Sequence, residues 1–228
     1  RVVTGTGHST ATARTLDVLC INTQTRDVAP ALARAPVADA VKALRAQGFG
    51  RLYKKIDSTL RGNVAAECAS VIEAADAKVA IVCPAFPRMG RTLVQGRLMV
   101  HGSPLSWTQE GNDPRSAPAS DSLVELLRLE GEVETGLVAI STVRQGYATI
   151  GAEIRKLTDA GRNAIAVDAE TEDHLASIAA AGPSASTETV MVGSAGLAYA
   201  LADDVDAAEC APMAAGSGQG PVLIVAGS

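Results

Sequence analysis

The densest run of reactive side chains is Lys54-Lys55-Ile56-Asp57-Ser58-Thr59-Leu60-Arg61-Gly62-Asn63. Arg61 offers a planar fork that matches a carboxylate. Asp57, Ser58, Thr59 and Asn63 can pair with hydroxyls, and Gly62 lets a backbone approach a ligand closely. The run follows a strand expected from Arg51 and precedes a helix expected from Val64, whose free N–H groups favour an anion. In an open parallel sheet, ligands bind at this end of the strands. A plainer reading has Ser58, Thr59 and Asn63 capping the helix while the charges sit in water. A cap needs one such residue, and here six or seven polar residues crowd together, so binding is the expectation.

A second cluster, Pro84-Ala85-Phe86-Pro87-Arg88-Met89-Gly90-Arg91-Thr92, also follows an apolar strand. Its prolines stiffen the turn, and Gly90 lets Arg91 and Thr92 turn toward a ligand. As structure alone it is simply a stiff loop. A third, Val192-Gly193-Ser194-Ala195-Gly196-Leu197, has the form of a phosphate cradle, but tight strand–helix packing explains its glycines equally well and is preferred. Asn22-Thr23-Gln24-Thr25-Arg26 follows a further strand, so Thr23 and Arg26 could reach the same crevice. Thr4–Thr10 lacks G-x-G-x-x-G spacing and is discounted as a dinucleotide loop. His8, His101 and His174 stand apart from one another, and no Walker A or G-x-S-x-G sequence occurs.

The elements that must position these residues alternate in type. Strands are expected at Val18–Asn22, Arg51–Ile56, Val79–Cys83, Leu137–Ser141, Ala164–Asp168, Val190–Val192 and Val222–Val225. Several are nearly continuous apolar runs, as in strands covered on both faces. Helices are expected at Val37–Gln47, Val64–Ala74, Tyr147–Ala160, Thr171–Ala181 and Gly196–Ala202, with Pro36 in a first turn and Gly48 and Gly161 as stops. The pattern predicts an α/β fold: a mostly parallel, Rossmann-like sheet flanked by helices. A stretch near 86–122 breaks the alternation and is expected to be a long functional loop or a small subdomain. Gly216–Gly220 reads as a linker, dividing a unit over 1–215 from the start of another over 216–228.

With 47% hydrophobic residues among 228, the chain can bury a sizeable core. A formal charge of −5, no basic cluster and few aromatic rings argue against nucleic acid. No apolar run reaches the length of a membrane span. Cys20, Cys68, Cys83 and Cys210 show no metal spacing and suit a reducing cytosol, so a cytoplasmic location is expected. A small anionic substrate remains compatible, because one local arginine can bind it against an acidic background.

Taken in order, these clusters resemble the four-carbon acid sugar kinase family. Lys54–Asn63 with Glu67 is similar to the family's K-K-x-D-S-T-L-R-G-N signature, and Pro84–Pro87 with Gly90-Arg91-Thr92 to its P-A-F-P-x-x-G-R-T block. Weaker agreements are Asn22–Arg26, Gly102–Leu105, Asp113-Pro114, Asp168 and Gly193–Gly196. The resemblance implies an N-terminal domain that holds the acid sugar and a C-terminal domain that binds ATP. It also implies phosphoryl transfer to a hydroxyl of threonate, erythronate or a 3-oxo-tetronate. Catalysis would then be mostly positioning and charge stabilisation. Arg61, with Arg91 as second choice, is assigned to the substrate carboxylate, and Asp57 and Asn63 to hydroxyls. Lys55 or Lys54 would face the incoming phosphate, only one of them able to face the crevice from a strand. Asp57 and Lys55 are the candidate catalytic pair. Lys54, Ser58, Thr59, Gly62, Thr92 and Arg26 complete the substrate contacts, and Ser228 is a nucleotide contact. ATP and Mg²⁺ would be held mainly by the C-terminal domain. The family's acidic D-D-x-T-G-A loop is not present here, and the chain is expected to begin late and to stop within the nucleotide half. By itself it is expected to bind sugar without catalysing transfer. The alternative is a non-catalytic module that binds an acid sugar or another small anion. Asp57, Arg61 and Arg91 are expected to converge on one rim of the sheet.

Overall fold

The computed structural model describes residues 2–4, 18–114, 117–185 and 188–202. Ser228, Cys210, His8, the Gly216–Gly220 linker and the Val222–Val225 strand lie outside these residues, as does most of Thr4–Thr10.

Five strands form a wholly parallel sheet in the order β3-β10-β4-β9-β8. They are β3 (Tyr53–Lys55), β4 (Val79–Cys83), β8 (Thr135–Val138), β9 (Ala164–Val167) and β10 (Thr189–Gly193). β4 and β9 are buried at every residue, which explains their unbroken apolar sequences. One helical layer comprises α1 (Pro30–Ala46), α2 (Val64–Ala74) and α3 (Leu123–Gly131). A second comprises α5 (Tyr147–Asp159), α6 (Glu172–Ala185) and α7 (Ala195–Ala202), and α4 (Ile140–Val143) is a single turn. The expected α/β class and mostly parallel sheet are therefore present.

Several boundaries differ from expectation for physical reasons. β2 (Cys20–Asn22) pairs in parallel with β1 (Val2–Thr4), not with the five-stranded sheet. α1 starts at Pro30, so Pro30 takes the first-turn position and Pro36 lies inside the helix. Burial of Ala33 and the Ser70 hydroxyl bond to the Arg34 carbonyl (2.7 Å) hold this early turn despite the internal proline. The strand expected at Leu137–Ser141 ends at Val138 because the Asp168 carboxylate accepts the Ile140 N–H at 3.0 Å, starting α4. α3 was not expected from the pattern, although Ser122-x-x-Glu125 signals a helix start. The Ser122 hydroxyl accepts the Glu125 N–H at 3.3 Å.

The stretch near 86–122 is a small subdomain. β5 (Arg91–Val94), β6 (Arg97–Val100) and β7 (Ser103–Pro104) form an antiparallel meander followed by two 3-10 turns. Leu93 and Ala169 exchange backbone hydrogen bonds of 2.9 Å, docking the meander beyond the carboxyl end of β9. Asp168 locks it there by accepting the N–H groups of Gln95 and Gly96, each at 2.8 Å.

The Gly193–Gly196 turn is packing. A Cβ on Gly196 would stand 2.6 Å from the Ala85 oxygen and 3.0 Å from Phe86 Cα, both backbone atoms that cannot swing aside. Ser194 fills the turn, donating to the Ala85 oxygen at 2.7 Å and accepting from Gly196 N at 3.0 Å. We expect Gly196→Ala to destabilise the chain by about 1–3 kcal/mol in chemical denaturation. Gly182→Ala should cost less, because its Cβ would meet the Met191 side chain, whose thioether can yield.

Candidate functional site

A cavity of about 220 Å³ opens where the segment after β2 meets the segment after β3 and the first turn of α2. Its wall carries four cationic side chains, Arg26, Lys54, Lys55 and Arg61, against two anionic ones, Asp57 and Glu67. Gly62, Asn63 and Asn22–Thr25 complete most of the lining. The polar run expected to bind is thus largely assembled on one wall.

Asp57 is the hub of the β3–α2 connection. One carboxylate oxygen accepts the Thr59 N–H (2.9 Å) and hydroxyl (2.6 Å). Arg61 closes a two-pronged bridge, Nε to Oδ2 and Nη2 to Oδ1, both 3.1 Å. Arg26 Nη2 lies 3.7 Å away on the other side. Burial alone would raise the Asp57 carboxyl, but the hydrogen bonds from Arg61 and Thr59 outweigh it and hold it at about 2. The same bridge raises Arg61 in turn. The turn carries strain: Leu60 has a φ of 60° with its side chain fully buried.

The buried carboxylate of the wall is Glu67. It pairs with Lys54 and accepts the Thr25 hydroxyl at 2.5 Å. Lys54 Nζ also donates to the Lys55 carbonyl at 2.9 Å. Lys55 reaches the cavity as well and donates to the Ile56 carbonyl at 2.7 Å. Burial pushes the Lys55 amine down, opposed by Asp57 and reinforced by Lys54 and Arg26. The expectation that only one of these lysines could face the crevice is thereby corrected. β3 ends at Lys55, so strict alternation no longer separates the two long side chains.

The other predicted residues have different places. Thr59 is 1% exposed and its hydroxyl is turned onto Asp57, so it supports the loop. The Asn63 amide donates to the carbonyls of Thr25 (2.7 Å) and Val28 (2.8 Å), which clamps the segment carrying Arg26. Ser58, Arg91 and Thr92 do not line the cavity. Arg91 donates to the Met89 carbonyl at 2.9 Å and lies 3.9 Å from Glu110, whose charge also acts on Arg61. Arg61 and Arg91 both stand within the electrostatic reach of Glu110. Glu67 takes part in the wall although the sequence marks it only by its place beside the family signature, as a carboxylate in the first turn of α2 four residues after Asn63.

This arrangement of charges, hydroxyls and amides is chemically suited to a small, hydroxylated anion. Among the described residues no group of three or more His, Cys, Asp or Glu side chains could hold a metal. No helix among them is long and apolar enough to cross a membrane.

A protein-family model described as a sugar-binding N-terminal domain matches residues 1–201. The chain belongs to that family. It is 42% identical over 219 residues to a D-threonate kinase of Cupriavidus necator, covering 93% of this chain and 50% of that protein. It is 33% identical over 164 residues to a D-erythronate kinase of Heliobacterium modesticaldum, covering 72% and 37%. Among solved structures, a domain of unknown function from Bordetella bronchiseptica, a domain-swapped dimer with bound citrate, superposes with a TM-score of 0.75 at 34% identity. That match covers 88% of this chain and 48% of the other. The chain thus spans about half the length of relatives such as the first.

The Asp57 network has a measurable pH signature. Its folded-state carboxyl titrates at about 2 against an ordinary 3.8, so its stabilisation is complete above that ordinary value and is lost as pH falls through about 2. The contribution is about 2 kcal/mol. Denaturation measured from pH 5 to pH 2 should show the wild type losing that much more stability than Asp57→Asn. Equal losses would mean that the Arg61 bridge does not hold the carboxyl down.

Proposed function

We propose that this chain is the sugar-binding part of an ATP-dependent kinase that phosphorylates a hydroxyl of a four-carbon acid sugar such as threonate, erythronate or a 3-oxo-tetronate. The observation that carries the reading is the cavity wall itself, where an excess of cationic side chains stands among hydroxyl and amide groups at one mouth. Such a wall suits a ligand with one carboxylate and several hydroxyls. Lys55, with one backbone acceptor and further N–H donors, faces the ligand's hydroxyl end. Asp57 lies beside it with its charge compensated. Both remain the candidate catalytic residues. Ser58, Arg91 and Thr92 belong to the surrounding rim, and Thr59 and Asn63 shape the loops.

ATP and Mg²⁺ do not fit the described residues. The Gly193–Gly196 turn is filled by Ser194 and backbone, and no carboxylate cluster is available as a cage. We assign both to the part of the longer relatives that this chain does not span. Residues 1–215 form the sugar-binding unit in this reading, with Ser228 on the nucleotide side. A cytoplasmic enzyme is in keeping with the free thiols of Cys68 and Cys83, each pushed up to about 12 by burial.

Titration calorimetry of the 228-residue chain tests the assignment. Tetronates should bind measurably, and Mg-ATP should bind at least about tenfold more weakly, a difference of roughly 1.4 kcal/mol. Tight Mg-ATP binding would sink the division between the two halves. No binding by any tetronate would sink the substrate class.

A further inference from the structure

The four cations of the cavity are not equally available. Lys54 is committed to Glu67 and to the Lys55 carbonyl. Arg61 has two of its donors engaged by both oxygens of Asp57, so the edge best suited to a ligand carboxylate already holds one. Lys55 is a point charge without a planar fork. Arg26 differs from all three. Its one ionic neighbour among the described residues is Asp57 Oδ1 at 3.7 Å, beyond hydrogen-bond length. Arg26 lines the cavity, and its side chain is 29% exposed.

The surrounding residues hold Arg26 in that position. Asn63 grips the backbone on both sides of it through the Thr25 and Val28 carbonyls. Thr25 is fixed again by its hydroxyl on Glu67, and Asn22 accepts the Gln24 N–H at 3.0 Å. Gly62, at a φ of 84°, presents bare backbone to the Arg26 stem, and a Cβ there would come within 3.0 Å of Arg26 Cγ. The arginine is therefore seated before any ligand arrives, which reduces the ordering cost of binding.

We propose that Arg26 is the residue that reads the substrate carboxylate, and that Arg61, bridged to Asp57, is a positioning residue that shapes the loop and balances its charge. This rests on the reading of the cavity as an acid-sugar site. It places the acid end of the ligand at the segment after β2 and leaves the hydroxyl chain to run toward Lys55.

The test compares D-threonate with D-threonamide, its neutral amide, by calorimetry on the full chain. Wild type should favour the acid by at least about 30-fold, as expected for one guanidinium–carboxylate contact. Arg26→Gln should collapse that ratio, chiefly by weakening the acid, and Arg26→Lys should restore it only in part. Arg61→Gln should weaken both ligands alike and keep the ratio, because loss of loop shape does not distinguish acid from amide. A ratio that survives in Arg26→Gln overturns the proposal, whatever the Arg61 variant does. Equal binding of acid and amide by wild type overturns it too while leaving a sugar site in place. Binding of neither ligand sinks the acid-sugar reading and this proposal with it.

Discussion

A carboxylate kept ionised in a half-buried loop needs partners on every side, and Asp57 takes them from its own connection. The Thr59 N–H and hydroxyl reach it from two residues on, and Arg61 from four. These short-range bonds pull the chain after β3 into a tight turn that forces Leu60 into the left-handed region, with its side chain driven into the core. The turn then delivers Gly62 and Asn63 to the neighbouring segment, where they seat Arg26. The interaction that neutralises Asp57 thus also leaves Arg26 at a longer distance from the same carboxylate, without a two-pronged partner among the described residues. Opening that bridge would expose two charges at once, so it belongs to the architecture of the wall.

Three carboxylates, Asp57 half-buried and Glu67 and Asp168 buried, meet the same problem differently. Asp57 is stabilised mainly by an arginine and a threonine and is held low. Glu67 is matched by Lys54 and a hydroxyl from across the cavity, tying the β2 segment to α2 and β3. Among the described residues, the side-chain hydrogen bonds of Asp168 all come from backbone N–H groups, those of Gln95, Gly96 and Ile140, and burial still leaves it raised. Its work is mechanical: it fastens the antiparallel meander and the α4 turn to the sheet. All three lie on connections beyond strands or in the first turn of a helix, where unpaired backbone donors are plentiful. A parallel sheet brings those connections to one rim, which is why acids far apart in sequence can share a surface.

Much of the scaffold was legible from local chemistry. Val79–Cys83 and Val64–Ala74 match their expected spans, because a buried central strand must be apolar throughout and an Ala-rich segment after a polar turn favours helix. The preferred reading of Gly193–Gly196 as packing also holds, since two backbones pass there with no room for a Cβ. Misjudged boundaries arose where a distant residue intervened. Asp168 ends β8 by capping α4, and burial of Ala33 carries α1 back past Pro36.

The sequence by itself determined which polar groups stand together and the loop that presents them. A run of basic, acidic and hydroxyl side chains between a strand and a helix is a local property, and its residues stay neighbours in any parallel α/β fold. Only the tertiary structure decided how those groups are divided. Arg61 lies four residues from Asp57 and is occupied by it, whereas Arg26 lies on another connection and is brought beside the same carboxylate at a longer distance. Glu67 could be recognised as the partner of Lys54 only once α2 was packed against β3. Hydrogen bonding and ion pairing fall off steeply within a few tenths of an ångström to a few ångströms. Which of several similar charges is engaged is therefore set by packing between elements, a quantity that spacing along the chain does not carry.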